Sequence, residues 1–466
     1  MADTIPSSPS TSASISVGNT TNGTLDFVGD HDWYRINLVQ GQAITVTLNG
    51  LTITDTFLRI YNSAGTQVLF ENDDLSGGSF DSRISFIAPT TGTYYIDVGA
   101  FDDAESGNFQ LTVSTYSPPP VATFEEIADQ LINGYWGGDS HHFNVGPGGT
   151  LTVNLTTLTA SGQTLARAAL ALWADITGIH FQEVSGGEQI LFTDHDEDAF
   201  TEANWSAGIT SHARVNISTD WLATNGTSLT SYSFTTYVHE IGHALGLGHA
   251  GNYNGDATYP YDAEFQNDSW ATSVMSYFSQ QESTYFAGQG FDQNFPTTPM
   301  IADILAMQQM YGLSTTTRAG NATYGPTWDT GMGAITIYDA GGVDTIDVSI
   351  SSLRNQIDLN PGTFSSIMGE TGNVGIALGV IIENATTGSA RDTLTGNDVA
   401  NVLQSGGNND TLNGGGGNDT LTGDSGADVL TGGAGSDTFR DSRSGLNGDT
   451  ITDFGAGDKI VFTVAS

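Results

Sequence analysis

The chain has 466 residues, and its 52 Asp plus Glu against 11 Lys plus Arg give a formal net charge of −41, which argues against nucleic acid or an anionic membrane as a partner. Its 38% hydrophobic residues, with 22 Phe, 16 Tyr and 7 Trp, exclude a wholly disordered acidic chain and suffice for two to four domains with buried cores. Zero cysteines exclude disulfides and any thiolate latch on a metal. The N-terminus MADTIPSSPSTSAS lacks the basic and apolar regions of a secretory signal, and no stretch approaches the roughly 20 apolar residues of a membrane span.

Residues 1–116 are rich in Ser, Thr, Gly and Asp, with short alternating runs such as DWYRINL, AITVTL, FLRIYN and TYYIDV between turn residues. Such a pattern predicts an antiparallel β-sandwich. It resembles the bacterial pre-peptidase C-terminal domain, a jelly-roll module of secreted proteases, here placed ahead of the catalytic segment. The resemblance implies tethering of polymeric substrate, assistance in folding, or removal on maturation. Asp30, Asp32, Asp73 and Asp74 are acidic turn residues, expected to be solvated, with a shared calcium ion as the alternative. SPPPV, within a linker at 117–122, predicts a stiff polyproline connection.

A mixed α+β segment follows over 123–315. His141 and His142 are adjacent and could catch adventitious metal, while His31, His180, His195 and His212 lie outside any ligand spacing; surface or packing roles are expected for all six. LARAALALWADITG (165–178) has the periodicity of a core helix, and Trp173 needs no cofactor to explain it. EQILFTD (188–194) has strand content and precedes the next helix.

HEIGHALGLGHAGNY (239–253) fits H-E-x-x-H-x-x-G-x-x-H at every fixed position. His239 and His243, four apart on a helix, leave one face about 6 Å apart, close enough to share an ion. Gly246 can end the helix in a left-handed conformation and let the chain deliver His249 as a third ligand. Three imidazoles suit one Zn2+ with an open position for water, and the carboxylate of Glu240 suits a general base rather than a fourth ligand. An amphipathic helix with satisfied histidines is the ordinary alternative, but a short helix gains nothing from these spacings. Downstream, SVMSYF (273–278) resembles the Met-turn of the metzincin proteases, with Met275 as an apolar floor. By that resemblance Tyr277 would ligate zinc at rest and hydrogen-bond the developing oxyanion during reaction.

From 388 to 439 a nine-residue period runs through Asp392, Asn401, Asp410, Asp419, Asp428 and Asp437. Each is followed two residues later by Leu394, Leu403, Leu412, Leu421, Leu430 or Phe439. GGGGNDTLT (414–422) and GGAGSDTFR (432–440) match the calcium-binding nonapeptide of RTX proteins. Glycines allow tight turns, Asp supplies a charged oxygen for Ca2+, and the apolar residue points inward, which predicts a parallel β-roll. A flexible linker would not hold an apolar residue in phase. Asn401, Ser405, Asn408, Asp424 and Ser425 depart from the repeat, so full sites are expected around Asp410, Asp419, Asp428 and Asp437, with a weaker edge at Asp392. YDAGGVDTID (338–347) offers Asp339, Gly341 and Asp344 as further calcium ligands. Glu383, in IIENA, sits where related proteases carry a calcium carboxylate.

Taken together, about residues 123–463 resemble the serralysin family, secreted bacterial zinc endopeptidases that join a metzincin domain to an RTX β-roll. ADQLINGYWGG (128–138), VNLTTLT (153–159), NDSWATSVMSYFSQ (267–280) and TPMIADILAMQQMYG (298–312) share in the likeness. The resemblance implies a monomer that cleaves extended polypeptides beside an edge strand, for which EQILFTD is the candidate. It also implies type I secretion to the extracellular space, with folding on meeting calcium. Family members usually continue past the roll to an export signal, whereas this chain stops at DKIVFTVAS. The implied organisation is a β-sandwich over 1–116, the catalytic α+β domain over 123–315 and the roll over 316–466. A calcium-dependent adhesin with an inactive protease-like domain is the alternative from another class. Such a protein would be expected to have lost Glu240, Tyr277 or one of the three histidines, and all five are present.

Overall fold

A computed structural model of the protein describes residues 4–73 and 80–463. Asp74, one of the acidic turn residues noted above, lies outside them. The chain divides into two compact units, one of Met1–Pro120 with Tyr253–Ala263 and one of Val121–Asn252 with Glu264–Ser466.

The first unit is an antiparallel sandwich. Its strands are β1 (Asn19–Leu25), β2 (Asp32–Leu38), β3 (Ala43–Gly50), β4 (Thr56–Tyr61), β5 (Val68–Asn72), β6 (Ser82–Ile87), β7 (Gly92–Ala100) and β8 (Gly107–Thr115). Two four-stranded sheets, ordered β1-β8-β3-β6 and β2-β7-β4-β5, supply its two layers. Alternation does the sorting: Ile44, Val46 and Leu48 of β3 are fully buried while the residues between them are not, as a one-sided strand requires. All four runs singled out in the sequence are strands here. The expectation of solvated turn carboxylates fails at two positions, because Asp30 is 4% and Asp32 0% exposed. Asp30 is drawn in by accepting the Asp26 amide at 2.6 Å.

In the second unit a mixed sheet meets three long helices. β9 (His142–Phe143), β10 (Thr150–Asn154), β11 (His180–Glu183), β12 (Ile190–Thr193), β13 (Ala199–Ser206) and β14 (Ile209–Ile217) make a sheet ordered β11-β10-β12-β14-β13, with β9 beside β14. Only β13 runs antiparallel to its neighbour. The helices are α1 (Phe124–Asp129), α2 (Ala160–Thr177), α3 (Thr219–Asn225), α4 (Tyr232–Ala244), α5 (Thr284–Ala287) and α6 (Ile301–Tyr311). Trp173 of α2 is fully buried, and its indole donates to the Val238 carbonyl of α4 at 3.1 Å. Gly178 ends α2 in the left-handed conformation, a common helix stop.

Beyond residue 322 short parallel strands stack into a seven-stranded and a five-stranded sheet, with successive turns of the chain alternating between them. Leu394, Leu412 and Leu430 lie in register in one sheet, and Leu403, Leu421 and Phe439 in the other. All six are fully buried, the inward column that the nine-residue period predicts. One continuous hydrophobic core runs from Ala122 through α2, α4 and α6 to Phe439. Among the described residues no helix is long and apolar enough to cross a membrane.

One partly buried ion network in the sandwich has a definite pH signature. His31 Nδ1 lies 2.8 Å from Asp97 and its Nε2 2.8 Å from Asp103, and the Asp97 carboxylate above all holds the imidazolium up to about 9. With the folded value above the unfolded 6.5, this stabilisation is complete below about pH 6.5 and is lost as pH rises through about 9. After discounting for solvent screening, His31→Gln should remove on the order of 1–2 kcal/mol at low pH and flatten that slope. Hydrogen exchange of β2 and β7 across this range reads the effect; unchanged pH dependence in the variant would contradict it.

Candidate metal centre

α4 starts where Ser231 accepts the Phe234 amide, an N-cap that leaves the histidines on the last two turns. His239 and His243 project from one face, and their Nδ1 atoms lie 2.8 Å from the carbonyls of Val274 and Leu247 respectively. Those N–H···O bonds assign the proton to Nδ1 and leave each Nε2 with its lone pair directed inward. His249 brings its own Nε2 to 2.9 Å from that of His243 and 3.3 Å from that of His239. The three nitrogens lie within 4.8 Å of one another. Burial holds His239 down to about 4 and His243 to about 3, so both rings are neutral at physiological pH, as metal ligation requires.

Glycines make this convergence sterically possible. Gly246 has φ +105°, and a Cβ there would lie 2.0 Å from the His141 carbonyl oxygen. A Cβ on Gly242 would meet the Met275 sulfur at 2.6 Å, which places the Met-turn directly against α4. That turn is itself pinned by a residue the sequence reading missed. Buried Asp303 accepts from the Ser273 hydroxyl at 2.6 Å, the Val274 amide at 2.8 Å and the Met300 amide at 2.7 Å. Its carboxylate joins α6 to the loop that orients His239. An Asp at the start of a helix was the available signal, but its distant partners are set by tertiary structure.

Glu240 is buried, and its carboxylate accepts from the Thr201 hydroxyl of β13 at 2.8 Å. Burial raises it to about 7, with the Thr201 bond opposing. Tyr277 is partly buried, its ring centroid 4.5 Å from that of His249 and 6.0 Å from that of His239. The structure therefore gathers all five residues singled out around this motif.

The expected edge strand is corrected. EQILFTD contains β12, which lies between β10 and β14 in the middle of the sheet. Ile190 and Phe192 on one face are fully buried, and Thr193 on the other is buried as well, as a central strand requires. The free edge beside α4 is β13, whose polar residues Glu202 and Asn204 are exposed, the composition of a solvated edge.

Of the remaining histidines His31 is ion-paired with Asp97 and Asp103, and three others are packing groups or surface residues. His141 is 1% exposed, bonded through Nδ1 to Thr210 at 2.9 Å and stacked on Trp205. His180 and His195 are exposed.

In the roll, carboxylates form two ladders. The Oδ1 of Asp410 accepts the Asp392 amide and that of Asp428 the Asp410 amide; Asp419 serves Asn401 and Asp437 serves Asp419, all at 2.8–2.9 Å. Asp392 accepts from Asn355 at 2.7 Å. These five aspartates are at most 2% exposed, yet Oδ2 of Asp392, Asp410, Asp419 and Asp428 is buried with no hydrogen-bond partner. Burial lifts Asp410 to about 7 and Asp419 and Asp428 to about 6. Anionic oxygens shielded from water and unmatched by donors suit a hard cation such as calcium.

The ladders also continue past the predicted end. Asp449 accepts the Asp428 amide and Asp458 the Asp437 amide, both at 2.9 Å. The signal was present, since Asp449 precedes Ile451 and Asp458 precedes Ile460 by the same two residues, but an insertion of three residues breaks the period of nine. Upstream, Asp344 donates its amide to Glu383 at 2.7 Å, and its own Oδ2 is buried and unpaired. Asp339 is already engaged by the Tyr324 hydroxyl at 2.5 Å and the Gly341 amide at 2.7 Å. Two of the departures, Asn408 and Asp424, adopt φ +72° and +59°, the left-handed region that Asn and Asp enter more readily than other non-glycine residues.

Comparison with known proteins settles the family. Serralysin B of Dickeya chrysanthemi is 34% identical over 353 residues, covering 66% of this chain and 71% of that protein. The chain belongs to the serralysin family. Three family models match in turn: the bacterial pre-peptidase C-terminal domain over 30–100, Matrixin over 151–269 and the peptidase M10 serralysin C terminal over 302–464. Metallopeptidase AprA of Pseudomonas marginalis is 35% identical over 277 residues, and Serralysin C of Dickeya chrysanthemi 38% over 253. The chain spans only 56% and 52% of the length of those two relatives, through 52% and 49% of its own.

Gly246→Ala should preserve α2 and α4 but weaken zinc binding at least about tenfold, because the turn orients both His243 and His249. Competition with a chromogenic chelator measures it; unaltered affinity would contradict the turn's role.

Proposed function

We propose that this serralysin-family chain is a secreted zinc endopeptidase whose roll folds on calcium, with 123–315 as its catalytic segment and 316–466 as its calcium-binding segment. The observation that carries the reading is the convergence of three neutral imidazole nitrogens next to a buried carboxylate, beside a free β-edge. His239, His243 and His249 would hold the zinc, and Tyr277, whose ring packs against that of His249, would complete the set. A bound zinc ion would polarise the scissile carbonyl and supply an activated water at neutral pH.

The protein's own groups then divide the remaining work. β13 aligns an extended polypeptide by backbone hydrogen bonds along its free edge. Glu240 takes the proton of the attacking water and returns it to the leaving amine, a role suited to a carboxylate raised by burial toward neutrality. Thr201 orients that carboxylate while leaving it able to exchange a proton. The Tyr277 phenol donates a hydrogen bond to the oxyanion as negative charge develops there. Asp344, Glu383, Asp392, Asp410, Asp419, Asp428 and Asp437 are the proposed calcium carboxylates, with Asp339 and Gly341 on the adjoining loop. Calcium would compensate the buried negative charge, so its binding free energy becomes folding free energy.

Casein hydrolysis by the zinc- and calcium-loaded protein tests the enzyme. Glu240→Ala should lower kcat at least about 10²-fold while retaining zinc, and Tyr277→Phe should lower kcat more than it raises KM. Wild type as inert as Glu240→Ala would end the reading. Separately, chelating calcium at neutral pH should abolish the β-roll's circular dichroism and restoring calcium should recover it; a roll indifferent to calcium would contradict the proposed sites.

A further inference from the structure

Beside the metal centre an unbroken line of aromatic rings leads from a zinc ligand to the exposed end of β13. His249 packs edge-on against Tyr135 at 5.0 Å between centroids, Tyr135 against Trp136 at 4.8 Å, and Trp136 against both His141 at 4.7 Å and Trp205 at 5.7 Å. His141 and Trp205 stack face to face at 3.9 Å with 14° between planes. This cluster is built to be rigid. Trp136 donates its indole N–H to the Gly246 carbonyl at 3.0 Å, and His141 is held by Thr210.

A register shift places Trp205 on that cluster. Along β13 and β14, Asn204 pairs with His212 but Trp205 pairs with Thr210, so Ser211 is skipped. Bulges of this kind re-aim a side chain at the end of a strand, and here Trp205 lies opposite the threonine that anchors His141. The indole nevertheless remains 37% exposed, and Ile209, across the hairpin, is 43% exposed. A tryptophan with one face packed and the other open, at the end of a free edge strand, offers contact area at little entropic cost.

We infer that the Trp205–His141 stack is a specificity shelf for an aromatic side chain of the polypeptide substrate, on the N-terminal side of the scissile bond. The inference rests on the endopeptidase reading. Thr201, bonded to Glu240, marks the reacting position along β13, and Trp205 lies four residues further on, roughly 13 Å at about 3.3 Å per residue. Antiparallel addition to β13, the stronger pairing mode, runs the substrate in the opposite direction. The shelf therefore meets the residue three or four places before the scissile bond.

The test uses the full chain loaded with zinc and calcium and two peptides built on one casein cleavage sequence. One carries Phe and the other Ala at both the third and the fourth residue before the scissile bond, and they are otherwise identical. Wild type should favour the Phe peptide about tenfold in kcat/KM; Trp205→Ala should bring the ratio near one, and Trp205→Phe should keep an intermediate preference. The same pair, titrated calorimetrically into Glu240→Ala and into Glu240→Ala with Trp205→Ala, reads the shelf without catalysis. A binding preference that Trp205→Ala removes supports the shelf even if wild type hydrolyses nothing, in which case the endopeptidase reading alone fails. Equal handling of both peptides by wild type, a Phe preference that survives Trp205→Ala, or selectivity confined to the C-terminal side would overturn it.

Discussion

Three imidazoles face one point because the protein itself turns the rings, and that constraint organises the second unit. The carbonyls of Val274 and Leu247 hold the Nδ1 protons of His239 and His243, so both Nε2 lone pairs point inward. Val274 is placed by Asp303 at the start of α6, and Leu247 by the turn at Gly246. Helix, Met-turn and C-terminal helix are thus one mechanical assembly. Its close tolerances at Gly242 and Gly246, where a single added carbon would strike Met275 or the His141 carbonyl, explain why small residues recur between the ligands.

The roll answers a different problem, that of a chain carrying a net charge of −41. In Asp410, Asp419 and Asp428 one carboxylate oxygen accepts an amide one coil away, while the other is buried without a donor. A repeat that stacks negative groups in register is self-repelling unless cations sit between the turns. The leucine column supplies the apolar contribution, and the carboxylate ladder supplies buried negative charge that a cation would compensate.

Much of this was legible in the residues because the signals were local. The histidine spacing, the nine-residue phase and the alternating runs of the sandwich each reflect the geometry of one helix turn, one coil or one strand. What escaped the sequence was set by tertiary partners. EQILFTD reads as a strand, but its central rather than edge place depends on which strands flank it. Asp30 and Asp32 look like solvated turn residues and are buried. Asp303 shows its helix-start signal but not its grip on the Met-turn, and Thr201 gives no hint of Glu240, 39 residues along. Asp449 and Asp458 keep the two-residue offset to an apolar partner, yet an insertion hides them from a strict period.

X-ray absorption at the zinc edge of the full chain, loaded with one equivalent of zinc in calcium, tests the central claim most directly. The account predicts one ion with three imidazole nitrogens at about 2.0–2.1 Å and oxygen completing the shell, and loss of one nitrogen scatterer in His249→Ala. A shell made of carboxylate oxygens, or a spectrum unchanged by removal of His249, would contradict it.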